Sequence, residues 1–136
     1  MLARILKFRK TVQASESVRE AAGRLFASGY NCAQAVLQAT TGLEDPRMLA
    51  MAEAFGGGVG DSKCLCGAIS GGVMALGWSG KGSTAGELVE EFKIRHRVTC
   101  CVALTRNYKW KSREHLANCR KITEETAEFV ERLLKK

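Results

Sequence analysis

Residues 63–77 of the chain, "KCLCGAISGGVMALG", combine two cysteines with a run of very small side chains. Three of the six residues after Cys66 are glycine, and each glycine inside a helix costs roughly 1 kcal/mol relative to alanine. A tertiary contact has to offset this cost. We therefore expect a smooth helix from about Cys66 to Trp78 that lets another backbone approach closely and leaves room for thiols or a small inorganic group.

The rest of the chain also shows helical periodicity. Pro46 is its one proline, and no run of β-branched residues alternates with polar ones over the length of a strand. The pattern predicts an all-α protein, a compact single-domain helical bundle of about five to seven helices. Capping residues place helix starts at Ser15 or Ser17, Asn31, Pro46, Cys66, Ser83 or Thr84, and Asn118, with a short helical turn after Ser112.

Length and composition limit the class of protein. A chain of 136 residues that is 46% hydrophobic is long enough for one domain with a core. No window approaches 18 uninterrupted apolar residues, and the opening "MLARILKFRK" has no apolar h-region and no cleavage site, so we expect a cytoplasmic protein without a transmembrane segment. Six cysteines are too few for a disulfide scaffold, and in a reducing compartment such cysteines more often ligate metal or exchange electrons.

Positive charge is concentrated in residues 93–121. This segment carries nine Lys or Arg residues and one acidic residue, Glu114, for a net charge of +8, whereas the whole chain carries +7. No helix-turn-helix, RNA-recognition or zinc-finger pattern accompanies the charge, so nucleic-acid binding is not expected. The segment is either a solvated face or a docking surface for an acidic protein partner.

Four cysteines share a predicted position at or near the start of a helix: Cys32, Cys66, Cys101 and Cys119. Asn31 and Asn118 are N-cap residues directly before a cysteine, and Thr99 can cap the turn that contains Cys101. Unpaired backbone N–H groups and the positive end of the helix dipole favour thiolate over thiol. The repeated context predicts thiolates suited to metal ligation or nucleophilic attack.

The stretches "GYNCAQAVL", "FGGGVG" and "CGAISG" resemble the C-GCAxxG-C-C family, whose members are proposed to be redox-active. The similarity leaves residues 1–14 as an N-terminal extension before a helical domain over 15–136. The family's four characteristic cysteines map onto Cys32, Cys66, Cys101 and Cys119, while Cys64 and Cys100 have no clear counterpart. The resemblance implies a small helical redox-active domain, without naming a substrate or a redox partner.

Four thiolates gathered by folding suit an iron–sulfur cluster or tetrahedral zinc. The ligands come singly from four segments, which a cluster tolerates, and the redox role implied by the resemblance favours iron over redox-inert zinc. The first hypothesis is an electron-transfer site holding a [2Fe–2S] cluster, with zinc as the alternative. Its predicted ligands are Cys32, Cys66, Cys101 and Cys119, and its predicted cofactor-binding residues are Gly67, Ala68 and Gly71.

Two further hypotheses need no metal. The first is a thiol–disulfide oxidoreductase in which Cys66 and Cys32 are the predicted catalytic residues, with a Cys32–Cys66 or a Cys101–Cys119 pair both open. The second is a helical interaction module with a basic docking face. His96 and His115 lie in polar, basic stretches and are expected at the surface, and the sequence leaves monomer and homodimer open.

Overall fold

The computed structural model describes residues 15–136, so the predicted extension over residues 1–14 lies outside the described residues. Within 15–136 there are six helices of eight or more residues, one short helix and no strand, which confirms the all-α prediction. The helices are α1 (Val18–Ala27), α2 (Cys32–Thr41), α3 (Pro46–Glu53), α4 (Gly67–Trp78), α5 (Ala85–His96), α6 (Cys101–Leu104) and α7 (Arg113–Leu134). Two 3₁₀ turns, Val59–Asp61 and Gly82–Thr84, precede α4 and α5.

The predicted caps start the first helices. Ser17 accepts a hydrogen bond from the backbone N–H of Glu20 at 3.1 Å, which fixes the first turn of α1. Asn31 and Gln34 form a reciprocal capping box at the start of α2, so Cys32 becomes the first residue of that helix. Pro46 stands at the first position of α3, where its missing N–H costs nothing.

The predicted helix start at Asn118 is wrong. Ser112 caps α7 by accepting the backbone N–H of His115 at 3.2 Å, and the helix then continues to Leu134 because neither glycine nor proline interrupts it. The side chain of Asn118 donates to the carbonyl of Leu104 at 3.3 Å, so it ties α7 to α6 and caps nothing. Cys119 therefore lies inside a long helix and not at a helix start.

The core forms where α2, α4, α5 and α7 meet. Leu37, Ile69, Leu88, Phe92 and Val130 are each fully buried there. Helix α1 covers the other side of α2 and α7 through a smaller cluster that includes the fully buried Ala22 and Ala127. Helix α4 is thus enclosed by apolar neighbours over most of its length.

The glycines of α4 permit that enclosure, as the sequence predicts. A methyl group at Gly71 would overlap the backbone carbonyl of Ala33, and one at Gly72 would meet the side chains of Leu88 and Val130 at 2.6 and 2.8 Å. The backbones of α2 and α4 therefore approach each other more closely than any residue with a Cβ would allow at Gly71. This contact places the start of α2, with Cys32, beside the start of α4.

No helix within residues 15–136 combines the length and the apolar character that crossing a membrane requires.

Candidate functional site

Two short segments meet at the start of α4 and carry four of the six cysteines. The backbone N–H of Cys66 donates to the carbonyl of Thr99 at 2.8 Å, and the N–H of Val102 donates to the carbonyl of Lys63 at 3.0 Å. These two bonds hold residues 63–66 alongside residues 99–102. Two cysteine pairs form across this junction, an outer pair and an inner pair.

The outer pair, Cys64 and Cys100, is a disulfide between residues 36 positions apart in the sequence. Cys64 is exposed and Cys100 is partly exposed. Neither residue is part of the predicted site, and the predicted disulfides, Cys32–Cys66 or Cys101–Cys119, do not include this one. The pairing depends on the alignment of two segments distant in sequence, so no local pattern indicates it.

The inner pair consists of two reduced, buried thiols, Cys66 and Cys101, which are 6% and 7% exposed. Gly67, the first residue of α4, follows Cys66 directly, and both thiols line the same cavity. Hydrogen bonding by the Cys66 thiol lowers the pKa of Cys101 to about 7; burial opposes this effect, and the backbone N–H groups of Gly67 and Cys101 add to it. The same hydrogen bond, together with burial, raises the pKa of Cys66.

The other two reduced thiols are held protonated. Burial, followed by the nearby charge of Cys101, raises the pKa of Cys32 to about 11. Burial, followed by the charges of Cys32 and Cys101, raises the pKa of Cys119 to about 12. The expectation that each helix-start cysteine would be a thiolate is therefore wrong for Cys32, where burial outweighs the backbone hydrogen bonds, and for Cys66, where the hydrogen bond with Cys101 and burial raise the pKa.

All four reduced cysteines line one cavity of about 640 Å³ that opens to solvent. Its walls are mainly apolar and include Tyr30, Leu104, Trp110 and Ile122. Gly67 lies against Cys32, because a methyl group at Gly67 would overlap the sulfur of Cys32 and meet the carbonyl of Phe55 at 2.7 Å. The structure thus brings together the four cysteines named from the sequence. Cys119 comes from the interior of α7, and the other three lie at or directly before the starts of α2, α4 and α6.

The arrangement does not form a metal-binding group. Among residues 15–136, no three His, Cys, Asp or Glu side chains are placed so that they could hold a metal ion. A tetrahedral zinc site needs at least three such ligands around one ion, whereas a [2Fe–2S] cluster takes two cysteines on each iron. Both cofactors stay predictions, and the predicted cofactor role of Gly67, Ala68 and Gly71 stays one as well.

A buried histidine forms part of the cavity wall, against the expectation that His115 lies at the surface. His115 is 4% exposed, accepts the backbone N–H of Lys111 on Nδ1 at 2.7 Å, and stacks on Trp110 with ring centroids 4.3 Å apart. Burial, followed by the charge of Lys63, lowers the pKa of His115. The ring is therefore neutral at pH 7, with its proton on Nε2. His96 is partly buried too, beside Glu125.

Comparison with known proteins found a family match. The family model described as "Putative redox-active protein (C_GCAxxG_C_C)" matches residues 30–133, which include all six cysteines. No curated protein and no solved structure matched the chain. The match covers most of the sequence, and the chain belongs to the C_GCAxxG_C_C family, whose members are proposed to be redox-active.

Proposed function

We propose that the protein is a thiol–disulfide oxidoreductase whose working pair is Cys101 and Cys66. The observation that carries this proposal is the pair of neighbouring reduced thiols, Cys66 and Cys101, at the wall of an open cavity. The pair belongs to two segments that backbone hydrogen bonds hold together, so the two sulfurs stay adjacent. Cys66 keeps the role predicted from the sequence, and Cys101 takes the place predicted for Cys32.

The reaction transfers two electrons from the pair to a disulfide substrate. The Cys101 thiolate attacks one sulfur of the substrate disulfide, which forms a mixed disulfide with Cys101 and releases the first substrate thiolate. Cys66 then loses its proton and attacks the sulfur of Cys101, which releases the second substrate thiolate. The Cys66–Cys101 disulfide is the oxidised product, the substrate is reduced to two thiols, and an external dithiol restores the pair.

The environment of Cys101 supports its role as the attacking residue. The pKa of Cys101 is lowered toward neutrality, whereas the pKa values of Cys32 and Cys119 are raised, so Cys101 loses its proton more readily than either of them. A thiol with a pKa near the ambient pH is the most effective attacking group. The proton of Cys66 is held by the interaction with Cys101. Cys66 therefore attacks only after Cys101 has formed the mixed disulfide, which suits the resolving step.

Trapping the mixed disulfide tests the assignment. With a small disulfide such as oxidised glutathione, the Cys66→Ser protein should stop at a stable adduct on Cys101, because the resolving thiol is gone. The Cys101→Ser protein should form no adduct within the same time, and Cys119→Ser, the matched control in the same cavity, should react like the parent. Mass spectrometry of the intact protein and of its peptides gives the result. An adduct on Cys32 or Cys119 instead would overturn the proposal.

Electron transfer through a metal site is the second candidate. The favouring observation is that four free cysteines line one cavity. Metal and acid-labile sulfide analysis, with an absorption spectrum, of protein purified without oxygen or chelator tests it. Iron with sulfide would support a cluster, stoichiometric zinc would indicate a structural site, and metal-free protein with reactive thiols would support the oxidoreductase.

A further inference from the structure

The Cys64–Cys100 disulfide lies directly beside the working pair but is more exposed to solvent. Cys64 is two residues from Cys66, and Cys100 is next to Cys101, so one pair of segments carries both cysteine pairs. The inner thiols are almost completely buried, whereas Cys64 is exposed. An external protein dithiol therefore meets the outer disulfide before it can reach the inner one.

The backbone contacts keep the two pairs in register. The Cys66–Thr99 and Val102–Lys63 hydrogen bonds lie on either side of the disulfide along the two segments. The carbonyl of Cys64 accepts two more hydrogen bonds, from the N–H of Val59 at 3.0 Å and from the hydroxyl of Ser62 at 2.8 Å. None of these bonds involves the outer sulfurs, so we expect them to keep the outer pair beside the inner pair when the outer disulfide is reduced.

We propose that Cys64 and Cys100 form a second redox pair that takes electrons from an external protein dithiol and passes them to the inner pair. This relay rests on the proposed function, because it supplies the reductant that the Cys66–Cys101 disulfide needs after each turnover. The chemical class of the partner follows from the step: a protein with an accessible dithiol. The two cysteines without a clear counterpart in the family motif thereby acquire a function.

The relay conserves atoms and electrons in three exchanges. First, the external dithiol reduces Cys64–Cys100 to two thiols and becomes a disulfide itself. Next, the Cys100 thiolate attacks the sulfur of Cys66, since attack on Cys101 would require a strained disulfide between adjacent residues, and Cys101 leaves as a thiolate. Last, the Cys64 thiolate attacks the sulfur of Cys100, which restores Cys64–Cys100 and releases Cys66, which takes up a proton.

Re-reduction of the inner disulfide distinguishes a relay from a structural crosslink. In the parent, reduced thioredoxin as the dithiol probe should reopen Cys66–Cys101 at least about tenfold faster than in the Cys64→Ser/Cys100→Ser protein. In the single Cys64→Ser variant the last step is missing, so a Cys66–Cys100 disulfide should accumulate, located by differential alkylation and fragmentation of tryptic peptides. Cys119→Ser, which leaves both pairs intact, is the matched control.

Two outcomes would overturn the relay: equal rates of reopening in the parent and the double variant, or no Cys66–Cys100 species in the single variant. Circular dichroism confirms that each variant is folded. The proposed function fails separately, because it requires Cys66–Cys101 to form with a small disulfide even in the double variant. If that disulfide forms in the double variant and is reduced there as fast as in the parent, the proposed function holds and Cys64–Cys100 is only a structural crosslink.

Discussion

Cys101 differs from the other reduced thiols in what donates to its sulfur. Cys32 begins a regular helix, yet its pKa is raised, whereas Cys101 begins a helix of four residues and has a pKa of about 7. The reason is that Cys101 accepts hydrogen bonds from the Cys66 thiol and from the first N–H of α4. The start of α4 thus stabilises a thiolate that is close in space and distant in sequence.

Removing the Cys66 thiol should therefore raise the pKa of Cys101. The hydrogen bond that favours the charged form is lost in Cys66→Ala, so the midpoint should rise from about 7 toward the ordinary thiol value of 9.0, with less thiolate at neutral pH. A titration followed by the ultraviolet absorbance of thiolate measures this shift. Cys119→Ala, a thiol that donates nothing to Cys101, should leave the midpoint near 7, and an unchanged midpoint in Cys66→Ala would refute the hydrogen-bond assignment.

The sequence and the family resemblance identified the four cysteines around the cavity but not their protonation. Predicting Cys32 as a thiolate failed because burial is a property of the folded molecule and not of a helix cap. The polar stretch around His115 likewise gave no sign that the ring is buried and stacks on Trp110. Charge states at this site depend on neighbours that no single segment contains.

At the scale of elements, the contact between α2 and α4 decides the geometry of the site. Gly71 lies against the backbone of Ala33, and this approach sets the distance between the starts of the two helices. The small-residue pattern predicts the contact because glycine in a helix interior needs compensation. The C-terminal helix was mispredicted because Asn118 has the residue type of an N-cap, while its actual partner is a carbonyl on α6.

Filling this contact should destabilise the protein. Gly71→Ala places a methyl group on the backbone of Ala33, and we expect a loss of about 1–3 kcal/mol in the free energy of unfolding. Gly77→Ala is the matched control in the same helix, since no atom lies within 4 Å of its added methyl group. It should be neutral or stabilising by up to about 1 kcal/mol. Equal effects of the two substitutions in urea unfolding would contradict the close approach.

At the scale of the whole molecule, the Cys64–Cys100 disulfide connects the segment before α4 with the segment after α5. It closes a loop with a sequence separation of 36 and so restricts the unfolded chain. The sequence could not predict this pair, because four other cysteines compete for each partner. The acidic partner suggested by the basic segment stays a prediction. Two arginines of that segment already form ion pairs within the protein, Arg95 with Glu125 and Arg120 with Glu124.

Opening that loop should lower global stability. Cys64→Ser/Cys100→Ser should reduce the free energy of unfolding by about 2–4 kcal/mol relative to the oxidised parent. Dithiothreitol should lower the stability of the parent by a similar amount and leave the double variant unchanged, as thermal unfolding would show. Cys119→Ser should keep the parent's sensitivity to the reductant. Insensitivity of the parent would mean that the crosslink contributes nothing to the fold.

The most direct test of the central claim is to map the disulfides after the four reduced thiols meet one equivalent of a small disulfide. Peptide mapping with differential alkylation locates the new bond in the wild-type protein. We expect one new intramolecular disulfide, Cys66–Cys101, beside the existing Cys64–Cys100, with Cys32 and Cys119 still reduced. A new bond that instead joins Cys32 or Cys119, or a random mixture of crosslinks, would contradict it.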